Sequence, residues 1–372
     1  MIDPKPLRDF RSLPCIAELE VFQNGRGVPL AVYPPAICSS FGNHLRVVVM
    51  DMPSHTAQYI TLDTAGQMVG LAKDLPLSFV AGAVPCAGEL VLSGTRLGDD
   101  RPVVFGLSEE GAIRWSVEIP ITGELSRWPR PLCVEESIWL AWETGTLTST
   151  LWVSEVHMGA CTPPEALTFD DTTVELDMLA VGRGLTFART HGNPVQLELL
   201  RIVDGQLVRR ESVPGAAQVL TPTIAAVADR YVVLWISGSD RSIDVQWFDW
   251  NFAPIVPASN VLTLSPGPVR FRSAQLFQGN AGYLAISYQT VTTGDGSIQH
   301  RSDGITAIRE PSRIIEQFVA AYEWKSQKFG SFQRVVPPGI SYNTGCWLVE
   351  NLFLLHGEGD LIISVYQGQK TA

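Results

Sequence analysis

The sequence predicts an all-β protein assembled from seven copies of one small unit. Two observations carry that prediction. Helical periodicity is scarce, and apolar runs of five to eight residues alternate instead with Gly, Pro, Asn and Asp. One run also recurs along the chain, as "HLRVVVMD", "ELVLSGTR", "SIWLAWET", "GLTFARTH", "YVVLWISG", "YLAISYQT" and "NLFLLHGE". Its first core residues are Leu45, Leu90, Ile138, Leu185, Val232, Leu284 and Leu352, spaced by 45, 48, 47, 47, 52 and 68 residues. A step that returns to about 47 marks a repeated supersecondary unit.

Each unit holds further strand signals. In the second they are "SFVAGAV", "ELVLSG", "RPVVFGLS" and "AIRWSVEI", with "EEG" as a tight turn before the last. Four antiparallel strands at this period make a β-propeller blade, so residues 1–372 are expected to form a single seven-bladed domain. The 68-residue step is about twenty residues too long, and the excess is the polar, glycine-rich stretch 291–313, between the second and third strands of blade 6. After "NLFLLHGE" there is room for one strand, "LIISVYQ", so blade 7 lacks an outer strand. The unassigned N-terminal "CIAELEVF", within residues 15–23, is expected to supply it. That pairing would remove two open sheet edges. The best helical candidate, "SRIIEQFVAAYEW", is also rich in β-branched and aromatic residues.

Bulk properties narrow the function. Hydrophobic residues make up 45% of the 372, enough for a large core. Net charge is −11 with no Lys/Arg cluster, which argues against nucleic-acid binding. No run of about eighteen apolar residues occurs, so no membrane helix is expected. The N-terminal segment is interrupted by Pro4, Pro6 and Pro14 and does not read as a signal peptide, so the cytoplasm is the expected compartment. There, Cys15, Cys38, Cys86, Cys133, Cys161 and Cys346 are expected to be six free thiols.

The fifth unit, "PTIAAVADRYVVLWISGSDRSIDVQWFDWNFAPIVPASNVLTL", is the least degenerate, and through it the chain resembles the β-propeller superfamily over nearly its whole length. The resemblance is to an architecture. The Gly-His and Trp-Asp marks of WD40 blades are absent, "TTGDGSIQH" departs from a sialidase Asp-box after its Asp, and kelch double glycines are missing. Propellers host hydrolases, lyases, lectins and scaffolds, so the fold does not supply the function.

No Gly-x-Ser-x-Gly, His-Glu-x-x-His, Cys-x-x-Cys or Walker loop is present, and no motif calls for a cofactor or metal. In a propeller the second strands run up to the face where the inter-blade loops open. Their ends place Asp51, Arg96, Glu143, His191, Asp240, Gln289 and His356, with Arg189 close by, around one mouth of the central channel. The 291–313 stretch, with Asp295, His300, Arg301 and Asp303, emerges on the same face as a candidate lid. Trp128 in "SRWPRP" falls between blades and is a candidate for stacking. Cys38, Cys86, Cys133 and Cys346 sit near the ends of first strands in neighbouring blades. They read as small apolar filler rather than a zinc site, because inner strands splay around the axis.

The leading expectation is a module that binds a peptide or protein partner at this mouth. The rival is a lyase, cyclase or hydrolase with His191 or His356 as acid/base, Arg96 or Arg189 holding an anion, and Glu143 nearby. A carbohydrate-binding propeller is the third reading, although near-identical pockets per blade are not visible. Histidines buried in apolar surroundings would weaken the enzyme reading; a carboxylate within reach in a deep pocket would strengthen it.

Overall fold

The computed structural model describes residues 15–20, 22–23, 28–29, 32–51, 56–145, 148–157, 159–227, 229–237, 240–279, 283–293, 298–300, 306–308, 313–323, 328–336, 344–356 and 362–367. Among these there is no helix; the chain is a ring of seven antiparallel sheets. The inner strands of blades 1 to 7 are Val32–Phe41, Leu77–Cys86, Leu125–Val134, Thr173–Val181, Leu220–Val227, Val269–Gln278 and Thr344–Leu348. All seven recurring apolar runs are second strands, from His44–Asp51 in blade 1 to Asn351–His356 in blade 7.

The reason those runs are continuously apolar lies in the packing. A blade is covered on both faces by its neighbours, and successive side chains of a strand point to opposite faces. In the second strand of blade 5, Val232, Leu234 and Ile236 pack toward blade 6, while Tyr231, Val233 and Trp235 pack toward blade 4. In blade 1, Leu45, Val47 and Val49 face blade 7, while Val48 and Met50 face blade 2. The buried hydrophobic residues accordingly fall into clusters that each occupy one seam between adjacent blades, the seam between blades 7 and 1 included.

Closure follows the expected scheme. Cys15–Glu20 pairs antiparallel with Ile362–Gln367 as the outer strand of blade 7. Phe22–Gln23 is not part of that blade and pairs with Val28–Pro29. The helical candidate is a strand, Arg313–Glu323, the third of blade 6; its β-branched and aromatic content prevails over its weak helical spacing. The long insertion begins as a continuation of the sheet, with Thr292 opposite Ile314 and Thr293 opposite Arg313. Beyond it, Ile298–His300 and Thr306–Ile308 form a two-stranded ribbon. Asp295, Arg301 and Asp303 lie outside the described residues.

The expectation of six free thiols fails. Cys86 and Cys133, at the ends of the inner strands of blades 2 and 3, form a disulfide with a Cα–Cα distance of 5.4 Å. Adjacent inner strands approach closely enough at that end for a bridge between two sulfurs, a looser demand than four thiolates on one metal. Cys38, Cys161 and Cys346 are free.

Candidate functional site

The inner strands enclose an axial cavity of about 380 Å³, lined by Arg130 and by residues of blades 4 to 7 that include Asp177, Thr221, Thr223, Ser273 and Thr344. An inner strand has its sheet partner on one side only, so its other edge presents unpaired backbone groups to the channel. Here neighbouring blades supply partners. Asp177 Oδ2 accepts from Ile224 N at 3.0 Å, and Arg130 lies 3.5 Å from Asp177. Thr223 Oγ1 accepts from Leu276 N at 3.3 Å, and Gln278 Oε1 accepts from Ala226 N at 2.7 Å. Arg127 Nη2 donates to Val174 O at 2.7 Å, and Glu175 accepts from Thr221 N. Most of these ties span close to one repeat in sequence, so they join equivalent positions of adjacent blades.

In blades 1 to 6 the first half of the inner strand carries a register shift, as between Arg127 and Arg130, Thr173 and Glu175, or Leu220 and Thr223. A bulge re-aims side chains and twists the strand. These bulges lie toward the mouth, because inner strands begin on the face where the second strands end.

One polar chain at the mouth crosses blades 3 to 5. Glu143, buried, accepts from Arg127 Nε at 3.0 Å. Glu175 follows on blade 4: burial pushes its carboxyl up and the Asp240 charge adds to this, opposed by the Thr221 amide and Arg127. Trp128, 38% exposed, sits beside Arg127 with its ring 5.1 Å from Phe79 of blade 2.

The other named residues take different places. Arg189 is fully buried in blade 4. It donates to Thr173 Oγ1 at 2.6 Å, Glu198 Oε1 at 2.6 Å and Asp171 Oδ1 at 2.5 Å, with its guanidinium 3.8 Å from the Phe169 ring centroid. His191 joins the same cluster: its Nδ1 is 2.6 Å from Asp171 Oδ2, and its Nε2 is 3.7 Å from Glu198 Oε2. Burial pushes the Asp171 carboxyl up, but the hydrogen bonds from Arg189 and His191 outweigh it and hold it below the usual range. Arg210 closes the cluster on Glu198 Oε2 at 2.7 Å.

Arg96 lies in an exposed group with Asp99, Glu118 and Arg101. Gln289 is buried behind the channel wall, accepting from Ser273 Oγ at 3.2 Å. His356 is fully buried within blade 7, its Nε2 2.7 Å from Ser364 Oγ. Asp51 and His300 end strands whose terminal side chains lie outside the described residues, as does the whole of Arg301.

The structure thus joins Arg189 and His191 in one cluster, ties Glu143 to Arg127 with the Asp240 charge acting on neighbouring Glu175, and keeps Arg96, Gln289 and His356 apart from both. Among the described residues no group of three or more His, Cys, Asp or Glu side chains is arranged to hold a metal. The cavity lining itself, Arg130, Asp177, Thr221, Thr223, Ser273 and Thr344, was not singled out from the sequence. A usable signal was there: Arg130 and Asp177 stand one repeat of 47 residues apart on successive first strands.

No protein-family model matches the chain, and no curated protein matches it in sequence. Solved structures match in fold. BBS1N, crystallised in complex with ARL6DN, superposes with a TM-score of 0.55 at 12% identity, covering 98% of this chain and 99% of that one. The β-propeller domain of Cps50 (Swd1) from Myceliophteria thermophila gives 0.51 at 11% identity, over 96% and 100% of the two chains. Drosophila Plexin A in complex with Semaphorin 1b gives 0.50 at 9%, over 96% and 88%. Blade topology, seam packing and these superpositions lead to one conclusion: the chain is a seven-bladed β-propeller.

Proposed function

We propose that this propeller is a protein-interaction module that receives a peptide segment of its partner at the channel mouth bordered by blades 3 to 6. The observation that carries the reading is the polar axial cavity of about 380 Å³ beneath that mouth. Its volume lies within the roughly 300–1,000 Å³ of ligand pockets. Its bulged inner strands offer hydroxyl, carboxylate and guanidinium groups for a polypeptide backbone. Trp128 offers an exposed aromatic surface at the rim, the residue type that most often anchors a protein interface. Two of the similar propellers, BBS1N and Plexin A, were solved with protein partners, which supports binding as the use of the ring.

The residues named for acid–base chemistry favour this reading over the enzyme. His356 is fully buried with its Nε2 on Ser364; His191 has the Asp171 carboxylate within reach, but Arg189 shares that carboxylate and neither histidine lines the cavity. Filling the cavity tests the proposal. Gln275→Trp and Thr344→Arg, at half-buried lining positions that hold none of the inter-blade ties, should leave the melting temperature close to that of the parent and reduce partner capture from source-cell extract at least tenfold. Trp128→Ala should weaken it less. Undiminished capture by folded, cavity-filled variants would refute the channel as the site.

A further inference from the structure

We propose that Cys38 and Cys346 are the site of a second inter-blade disulfide, one that staples the ring shut between blades 7 and 1. The Cys86–Cys133 bridge supplies the geometric template. Both pairs join the inner strands of consecutive blades, and each pair packs on the hydrophobic cluster of its own seam. Their registers correspond. Cys86 pairs with Glu89, one residue before the first core position of its second strand, Leu90, and Cys133 pairs with that position, Ile138. Cys346 pairs with Phe353, one residue past Leu352, and Cys38 pairs with Val47, two past Leu45. Going round the ring, each pair therefore steps forward by one residue, and the second pair is the first displaced by two. An even displacement keeps a side chain on the same face of its strand, so both pairs point into their seams.

The two thiols already meet. The Cys346 thiol is pushed well up by burial first, then by hydrogen bonding and charge coupling to Cys38. With a small-molecule disulfide as oxidant, one of the two protein thiolates attacks one of its sulfurs and expels one thiolate, leaving a mixed disulfide. The other thiol, losing its proton, then attacks the protein sulfur of that mixed disulfide and expels the second. Two protein thiols lose two electrons and two protons; the oxidant becomes two thiols. The bond would close a loop containing most of the chain, the case in which a crosslink restricts the unfolded state most. It would lie at the seam that the N-terminal strand closes on the outside. The proposal implies oxidising surroundings, in keeping with the bridge already present.

The full-length protein, purified without reductant, is incubated with glutathione disulfide at about pH 8.5, the ordinary thiol pKa. It is then blocked with N-ethylmaleimide, digested and mapped by mass without reduction. The proposal expects a Cys38–Cys346 crosslinked peptide beside the Cys86–Cys133 one, and a melting temperature raised by about 5 °C or more. Neither change should occur in Cys346→Ser, and both should occur in Cys161→Ser. Recovery of Cys38 and Cys346 as maleimide adducts, or of either one as a lasting glutathione adduct, overturns the proposal. The map of the unsubstituted chain decides the matter even if a variant fails to fold.

Discussion

Blades 2 and 4 place different chemistry at equivalent positions of their second strands. At the sixth position of the recurring run blade 4 has Arg189 and blade 2 has Gly94; at the eighth they have His191 and Arg96. In blade 4 the pair Arg189–Glu198 lies across the strand ladder, fully buried, with Asp171, His191 and Arg210 completing the charges. In blade 2 Gly94 lies opposite Val103, and the inner-strand bulge brings the Phe79 carbonyl to within 2.0 Å of where a Cβ would be. No side chain fits there, and the ion pairs of this end of blade 2 lie outside, in the exposed Arg96, Asp99, Glu118 and Arg101 group. Equal rank in a repeat fixes the position of the backbone; the adjoining strand decides whether a charge there is inside or in water.

The contrast can be broken most severely at Arg189. Arg189→Ala takes from buried Glu198 its one fully buried cationic partner and leaves only the half-exposed Arg210 on it, and removal of one partner of a buried pair costs about 3–5 kcal/mol. Chemical denaturation should register a loss of that size, and a loss under 1 kcal/mol would show that water enters the cluster freely. Gly94→Ala comes next. Its methyl group meets backbone rather than a movable side chain, and overpacking of this kind costs about 1–3 kcal/mol. An unchanged denaturation midpoint would mean that the inner strand of blade 2 gives way easily.

A smaller effect concerns acid. The Asp171 carboxyl is held below its ordinary value, 3.8, by Arg189 and His191 against the opposing pull of burial. A depressed carboxyl stabilises the fold above the unfolded pKa and loses that contribution as pH falls through the folded one. Stability should therefore decline below about pH 4, and Asp171→Asn should flatten that part of the curve while lowering stability at neutral pH. An identical acid profile for the variant would exclude Asp171 from the linkage. The smallest effect is expected at Arg96, whose partners are all exposed. Arg96→Ala should leave the denaturation midpoint unchanged, since surface ion pairs contribute little. A measurable loss would contradict the contrast between the two blades.

The ring itself was legible because each second strand is buried on both faces, which writes an unbroken apolar run seven times. The closing strand was legible from what blade 7 lacked. The channel was not. Bulges between Arg127 and Arg130, Thr173 and Glu175, and Leu220 and Thr223 interrupt the alternation of the inner strands, so direction of side chains cannot be counted along them. The buried positions of His356 and Arg189 were hidden for a related reason: a strand end carries polar residues both where it meets water and where a neighbouring strand satisfies them. The Cys86–Cys133 bridge depends on the stagger between blades, which no single repeat contains.

The central claim is that a partner's polypeptide enters the channel. Its most direct test places a photoreactive amino acid at Thr223, inside the cavity, and another at Val208, exposed on the outer strand of blade 4. Both proteins are irradiated in source-cell extract. The account predicts a crosslinked partner from Thr223, mapped to one peptide segment, and none from Val208. A partner crosslinked from Val208 and never from Thr223 would contradict it.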